Sequence, residues 1–99
     1  MELYQAEWCP HSHNVRQRLT ELGLDFVARQ VPAEPDERGE LERAAGTNEI
    51  PVLVTDEGET LQGEEEILPY LDRFHERDDA SRHRAKAREE VREFAELQG

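Results

Sequence analysis

The chain reads as an α/β domain: a four-stranded mixed sheet with flanking helices, plus an extra C-terminal helix. Three observations predict this. Short apolar segments alternate with longer segments of helical spacing in the order β-α-β-α-β-β-α-α. The opening β-α-β unit calls for a right-handed crossover between parallel strands. Two later strands, separated by a turn at Asp56-Glu57-Gly58, call for an antiparallel hairpin. A length of 99 residues leaves room for one domain, with a core of about two dozen side chains.

Glu2 to Ala6 supplies the first strand, with Leu3 and Tyr4 as its bulk, and Trp8 and Cys9 end it. Pro10 suits a first helical position, where a missing N–H is no loss. From His11 to Leu22, the residues Val15, Leu19 and Leu22 recur on one face, and Gly23 fits the place just past the helix. Phe26 to Val31 forms a second strand, stopped by Pro32. Pro35 and Asp36 open a second helix carrying Leu41, Ala44 and Ala45, closed by Gly46. Ile50 to Val54 is a third strand containing Pro51, while Thr60 and Leu61 lie in a fourth that ends at Gly63. Glu64 to Phe74 makes a third helix with the stripe Ile67, Leu68, Leu71 and Phe74, and acids crowd its first turn as the helix dipole prefers. Asp78, Asp79 or Ser81 can cap a fourth helix, whose stripe is Ala87, Val91, Phe94 and Ala95.

Charge bounds the function. Acids outnumber bases 24 to 12, for a net −12. Such a surface repels phosphate backbones and acidic headgroups, which argues against nucleic-acid and membrane partners. The longest apolar stretch, Ile50 to Val54, is far too short to span a bilayer. The start Met-Glu-Leu-Tyr lacks the basic-then-apolar pattern of a signal peptide. A single cysteine, Cys9, excludes an internal disulfide and suits a reducing, cytoplasmic location. Eleven of the twelve bases are arginine and eighteen of the acids are glutamate. We read this surface as halophilic: in molar salt the Debye length shrinks to about 3 Å and self-repulsion largely vanishes.

The chemistry centres on Cys9. Trp8-Cys9-Pro10-His11-Ser12 places the sulfur at a helix start, where the N–H groups of residues 11 and 12 can point at it and the dipole favours thiolate. Thiolate is the nucleophile of disulfide exchange. Position 12 holds a serine, whose hydroxyl can donate to the thiolate but cannot close a disulfide. An outside thiol must therefore resolve Cys9. Cys9, His11 and His13 also form a C-x-H-x-H pattern, but positions 11 and 13 of a helix point about 200° apart, which argues against a metal site.

Cys9-Pro10-His11-Ser12 after a first strand, Glu49-Ile50-Pro51-Val52-Leu53 before the hairpin and Gly63-Glu64-Glu65 after it resemble the glutaredoxins. They equally resemble the N-terminal domain of glutathione transferases, which share the thioredoxin-like fold, and Pro-Tyr-Leu at 69–71 is similar to the transferase third helix. The likeness covers residues 1–76, a glutaredoxin-like domain of monothiol Cys-Pro-x-Ser type, with 77–99 as its C-terminal helical extension.

The resemblance implies a thiol-disulfide oxidoreductase with Cys9 as nucleophile and Ser12 beside it. It implies a thiol-peptide site in which Trp8, Pro10 and His11 line the cleft, Pro51 is cis, and the backbone of Ile50 pairs with the cysteinyl part. Glu64 and Glu65 would hold the γ-glutamyl group, with Glu65 the better match to the family's acid. No bound cofactor is implied beyond a low-molecular-weight thiol co-substrate, glutathione or γ-glutamylcysteine. The expected partners are that thiol peptide and protein mixed disulfides, the expected state a monomer. One departure stands out: glutaredoxins usually carry Lys or Arg three residues before the cysteine, against the glycine carboxylate of glutathione, and here that residue is Ala6. Its loss matters less for γ-glutamylcysteine, which has no glycine. The rivals are a transferase-like conjugating domain and a [2Fe–2S] carrier, the latter at odds with Pro10 and His11 where such carriers have glycine after the cysteine.

Overall fold

A computed structural model describes the backbone of residues 1–98 and the side chains of residues 1–89. The elements are β1 (Glu2–Gln5), α1 (Pro10–Leu22), β2 (Val27–Gln30), a 3₁₀ turn (Pro35–Glu37), α2 (Gly39–Ala45), β3 (Val52–Val54), β4 (Thr60–Gln62), α3 (Glu64–Leu71) and α4 (Ala80–Gln98). They build one four-stranded sheet in the order β2-β1-β3-β4. β1 and β2 run parallel in the register Glu2↔Val27. β3 is antiparallel to β1, and β3 with β4 forms the expected hairpin, with Leu53 opposite Leu61. The mixed sheet is the one the order of elements predicts, and the fold is thioredoxin-like, as the resemblance implies.

The two-residue period of β1 buries Leu3 and Gln5 and leaves Glu2 and Tyr4 part-exposed. Leu3 and Leu53 meet Val15, Leu19 and Leu22 of α1 and Ile67 and Leu71 of α3 in one apolar cluster. These two helices therefore share one face of the sheet. α2 covers the other, where Leu41 and Tyr4 border a common cavity. Among the described residues twelve apolar side chains, and Pro51 besides, are buried, fewer than the two dozen expected. Met1, Phe26, Leu61, Leu68 and Phe74 pack half-buried around them. Gly23 ends α1 in the left-handed region, at φ 66°, and its N–H returns to Leu19 and Thr20.

Two expectations need correction. The second helix is broken, because Arg38 leaves helical geometry at φ −90° and ψ 51°. Its guanidinium donates to the carbonyls of Pro32 (2.8 Å), Asn48 (2.9 Å) and Ala33 (3.0 Å). The backbone turns at Arg38 while its side chain serves the two flanking loops. The third helix stops at Leu71 rather than Phe74. Pro69 inside it can give no N–H, and the amides of Arg73 and Phe74 bond three residues back in a tighter turn. Of the stripe expected on the fourth helix, Ala87 is half-buried and the side chains of Val91, Phe94 and Ala95 lie outside the described residues. Within the described residues, Arg84 of this helix reaches Glu21 of α1 (2.8 Å) and Glu76 (2.9 Å). Of the three candidate caps, Asp79 holds the place, its carbonyl accepting from Arg82 and His83.

Candidate functional site

Cys9 is the N-cap of α1, and Pro10 follows in the first turn. The cap residue has extended backbone, φ −81° and ψ 117°, so its side chain folds back over the open amides of the helix. The backbone N–H of Ser12 donates to Cys9 Sγ at 3.4 Å. The N–H of Cys9 is tied to the carbonyl of Ala6 at 3.1 Å, which fixes the loop that carries the sulfur. Cys9 is 6% exposed, while its neighbours Trp8, Pro10 and His11 are all exposed. The sulfur thus lies just beneath the surface, facing an amide.

Two details differ from expectation. Ser12 is wholly buried and its hydroxyl has no hydrogen-bond partner among the described residues, so the backbone N–H, not the hydroxyl, meets the sulfur. The N–H of His11 makes no bond to it. Trp8 is 65% exposed and belongs to no core.

Beside His11 opens a cleft of about 200 Å³. Ile50 and Pro51 form one side of it, and Gly63, Glu64 and Glu65 the other. The Ile50–Pro51 bond is cis. The carbonyl of Pro51 accepts from the N–H of Gly63 at 2.8 Å, which joins the proline loop to the start of α3. Gly63 caps that helix at φ 80° and ψ 155°, where a side chain would be strained and its Cβ would collide with the Glu65 carboxylate. The carbonyl of Gly63 takes the N–H groups of Glu66 and Ile67, and those of Glu64 and Glu65 stay unpaired among the described residues. Two open amides at a helix start make an anion cradle.

The acids around the cleft have separate tasks. Glu64 is fully engaged with α1: Oε1 meets His11 Nδ1 at 2.7 Å and Oε2 accepts from Asn14 Nδ2 at 2.9 Å. The Asn14 bond and then the His11 bond hold its carboxyl below the usual carboxylate range. Glu66 accepts the N–H of Gln62, and Glu49 accepts from Gln62 Nε2 at 3.0 Å. Glu65 has no hydrogen-bond or ion partner among the described residues. Among the described residues no Lys or Arg lines the cleft, so it suits an ammonium group and repels a carboxylate placed away from the helix amides. Asn14 and Gln62 were not singled out in the sequence; their role depends on partners distant along the chain.

Neither His13 nor any other described residue joins a group of three or more His, Cys, Asp or Glu arranged to hold a metal ion. No described helix is long and apolar enough to cross a membrane.

Known proteins resemble this chain in sequence and in fold. The family model described as Glutaredoxin covers residues 1–59. A glutaredoxin of Pseudomonas aeruginosa is 34% identical over 71 residues, 72% of this chain and 82% of that protein. The chain belongs to the glutaredoxin family. Among solved structures, a glutathione S-transferase from Rhodospirillum rubrum F11 matches at TM-score 0.62 and 32% identity, over 73% of this chain and 32% of that one. A glutathione S-transferase domain-containing protein from Marinobacter aquaeolei VT8 matches at TM-score 0.64 and 26% identity, over 76% of this chain and 39% of that one. The chain therefore spans about a third of the length of the first transferase and about two fifths of the second. Family and neighbours together support a thiol-related role.

Proposed function

We propose that the chain is a monothiol thiol-disulfide oxidoreductase that reduces mixed disulfides between proteins and a small γ-glutamyl thiol. The observation that carries this is the Cys9 sulfur, held at the N-cap of α1 against the amide of Ser12. A hydrogen bond to sulfur from a charge-favouring helix start stabilises thiolate, the attacking form. Cys9 thiolate attacks the small-thiol sulfur of the mixed disulfide. The S–S bond breaks, its electron pair leaves on the protein sulfur, and that sulfur takes a proton from water. Cys9 is then bonded to the small thiol. A second small thiol, as thiolate, attacks this bond, frees Cys9 and departs as the oxidised small-thiol dimer.

The thiol peptide lies in the cleft between Pro51 and α3. Its cysteinyl backbone pairs with Ile50, whose own N–H and carbonyl have no partner among the described residues. Its γ-glutamyl carboxylate sits on the open amides of Glu64 and Glu65, and its ammonium faces the unengaged Glu65 carboxylate. Trp8 and Pro10 flank the sulfur on the exposed side. With no Lys or Arg among the described residues that line the cleft, and Ala6 in the place of the family's Lys or Arg, the co-substrate that fits is γ-glutamylcysteine rather than glutathione.

The test is steady-state reduction of protein mixed disulfides made with each thiol. Faster turnover with γ-glutamylcysteine is expected, and a clear preference for glutathione would refute the assignment of the thiol. Cys9→Ser should abolish the reaction. The transferase neighbours favour a second reading, a thiol-peptide-binding conjugation domain, which predicts that the same variant keeps conjugating activity.

A further inference from the structure

Glu64 and Glu65 are adjacent acids with different surroundings. Glu64 is 24% exposed and both of its carboxylate oxygens are bound to side chains of α1, while Glu65 is exposed and unengaged. His11 and Asn14 stand three residues apart, hence on one face of α1, and one carboxylate spans both. His11 is 61% exposed and packs little, so its bond to Glu64 is its main tie to the fold. The carboxylate accepts only, so the proton of a neutral His11 ring lies on Nδ1. Nothing in the apolar core requires these three polar groups. They sit where α1 and α3 approach each other at the cleft, one residue from Glu65 and two from Cys9.

We propose that His11, Asn14 and Glu64 form a strap that sets the distance between the sulfur-bearing start of α1 and the ligand-bearing start of α3. These three are positioning residues for the thiol peptide and take no part in bond exchange. The inference rests on the function proposed above and deepens it. The strap assigns Glu64 to cleft geometry and leaves Glu65 as the carboxylate that meets the ligand's ammonium. Cutting it lets the two halves of the site drift, which weakens binding of the mixed disulfide more than it slows a bound one.

The experiment compares the wild type with His11→Ala, Glu64→Ala, Asn14→Ala, the double variant His11→Ala/Glu64→Ala, and Glu64→Gln, all in the reduction of a γ-glutamylcysteine mixed disulfide. Far-ultraviolet circular dichroism confirms that each is folded. The expected result is a KM about three- to tenfold higher for His11→Ala and Glu64→Ala, the worth of a lost charge-assisted hydrogen bond, with kcat within about twofold. The double variant should be no worse than Glu64→Ala, because both changes cut the same tie. Glu64→Gln keeps an oxygen for the Nδ1–H and should recover most of the KM. An unchanged KM, a loss confined to kcat, or additive losses in the double variant overturn the strap while leaving the enzyme reading intact. A wild type that exchanges no disulfide, with Cys9 reduced and accessible to alkylation, overturns that reading and the strap with it.

Discussion

Arg38 is a buried cation, 5% exposed, whose three hydrogen bonds all run to neutral carbonyl oxygens. One of them, that of Asn48, lies two residues before Ile50, so this side chain anchors the loop that carries the cis proline. Arg38→Ala should destabilise the fold by about 2–4 kcal/mol by orphaning buried carbonyls. Urea unfolding should show it as a lower midpoint with an unchanged slope. Arg38→Lys should recover less than half, since an ammonium cannot reach three oxygens in a planar fan. Ser12 gives a second prediction at this scale. Its side chain is wholly buried, one helical turn from the sulfur, and unpaired. Ser12→Cys should close an internal disulfide with Cys9 on oxidation, detected as the loss of two titratable thiols. That Cys9 caps a helix is legible from Cys-Pro-His-Ser alone, because a helix cap is a local event. Arg38 is not, for its partners lie in two separate loops and an arginine in an acidic helix reads as solvated.

α4 is held to α1 by a knot of charge. Glu21, only 6% exposed, accepts from Gln17, Arg18 and Arg84. Burial alone pushes its carboxyl up, but these bonds together hold it below the ordinary value. Arg84 and Arg18 also bind Glu76, whose carboxyl falls from 4.5 to about 2. A carboxylate depressed in the folded state stabilises that state above its unfolded pKa and ceases to as protons refill it. Docking of α4 should therefore be complete above pH 4.5 and fail progressively as pH falls from there toward about 2. Hydrogen exchange of residues 80–89 should report the loss, and Glu76→Gln should weaken protection at neutral pH and flatten the acid limb. An acid limb unchanged by that variant would contradict the assignment. The helices and the hairpin were readable from spacing, Gly23 and the Asp56–Gly58 turn. The ion pairs of α4 were not, because Glu21 and Arg84 lie far apart in the chain.

The whole molecule carries 24 acids against 12 bases, and its described residues bury only twelve apolar side chains and Pro51. Self-repulsion opposes folding in dilute buffer, and a small core offsets it only weakly. The melting temperature should rise as potassium chloride increases from low millimolar to molar, with most of the gain in the first few hundred millimolar as the Debye length falls to about 8 Å and below. A flat or falling curve would refute the halophilic reading of the composition. The fold class itself was visible from the element order, since right-handed crossover and hairpin leave few ways to arrange four strands.

α1 joins these scales. Cys9 caps its first turn, and Glu21 sits in its last. At 1.5 Å per residue the two lie roughly 18 Å apart along one rigid rod. Changes where α4 meets Glu21 can therefore leave the sulfur on its amide, one end of the rod being free to vary while the other is kept.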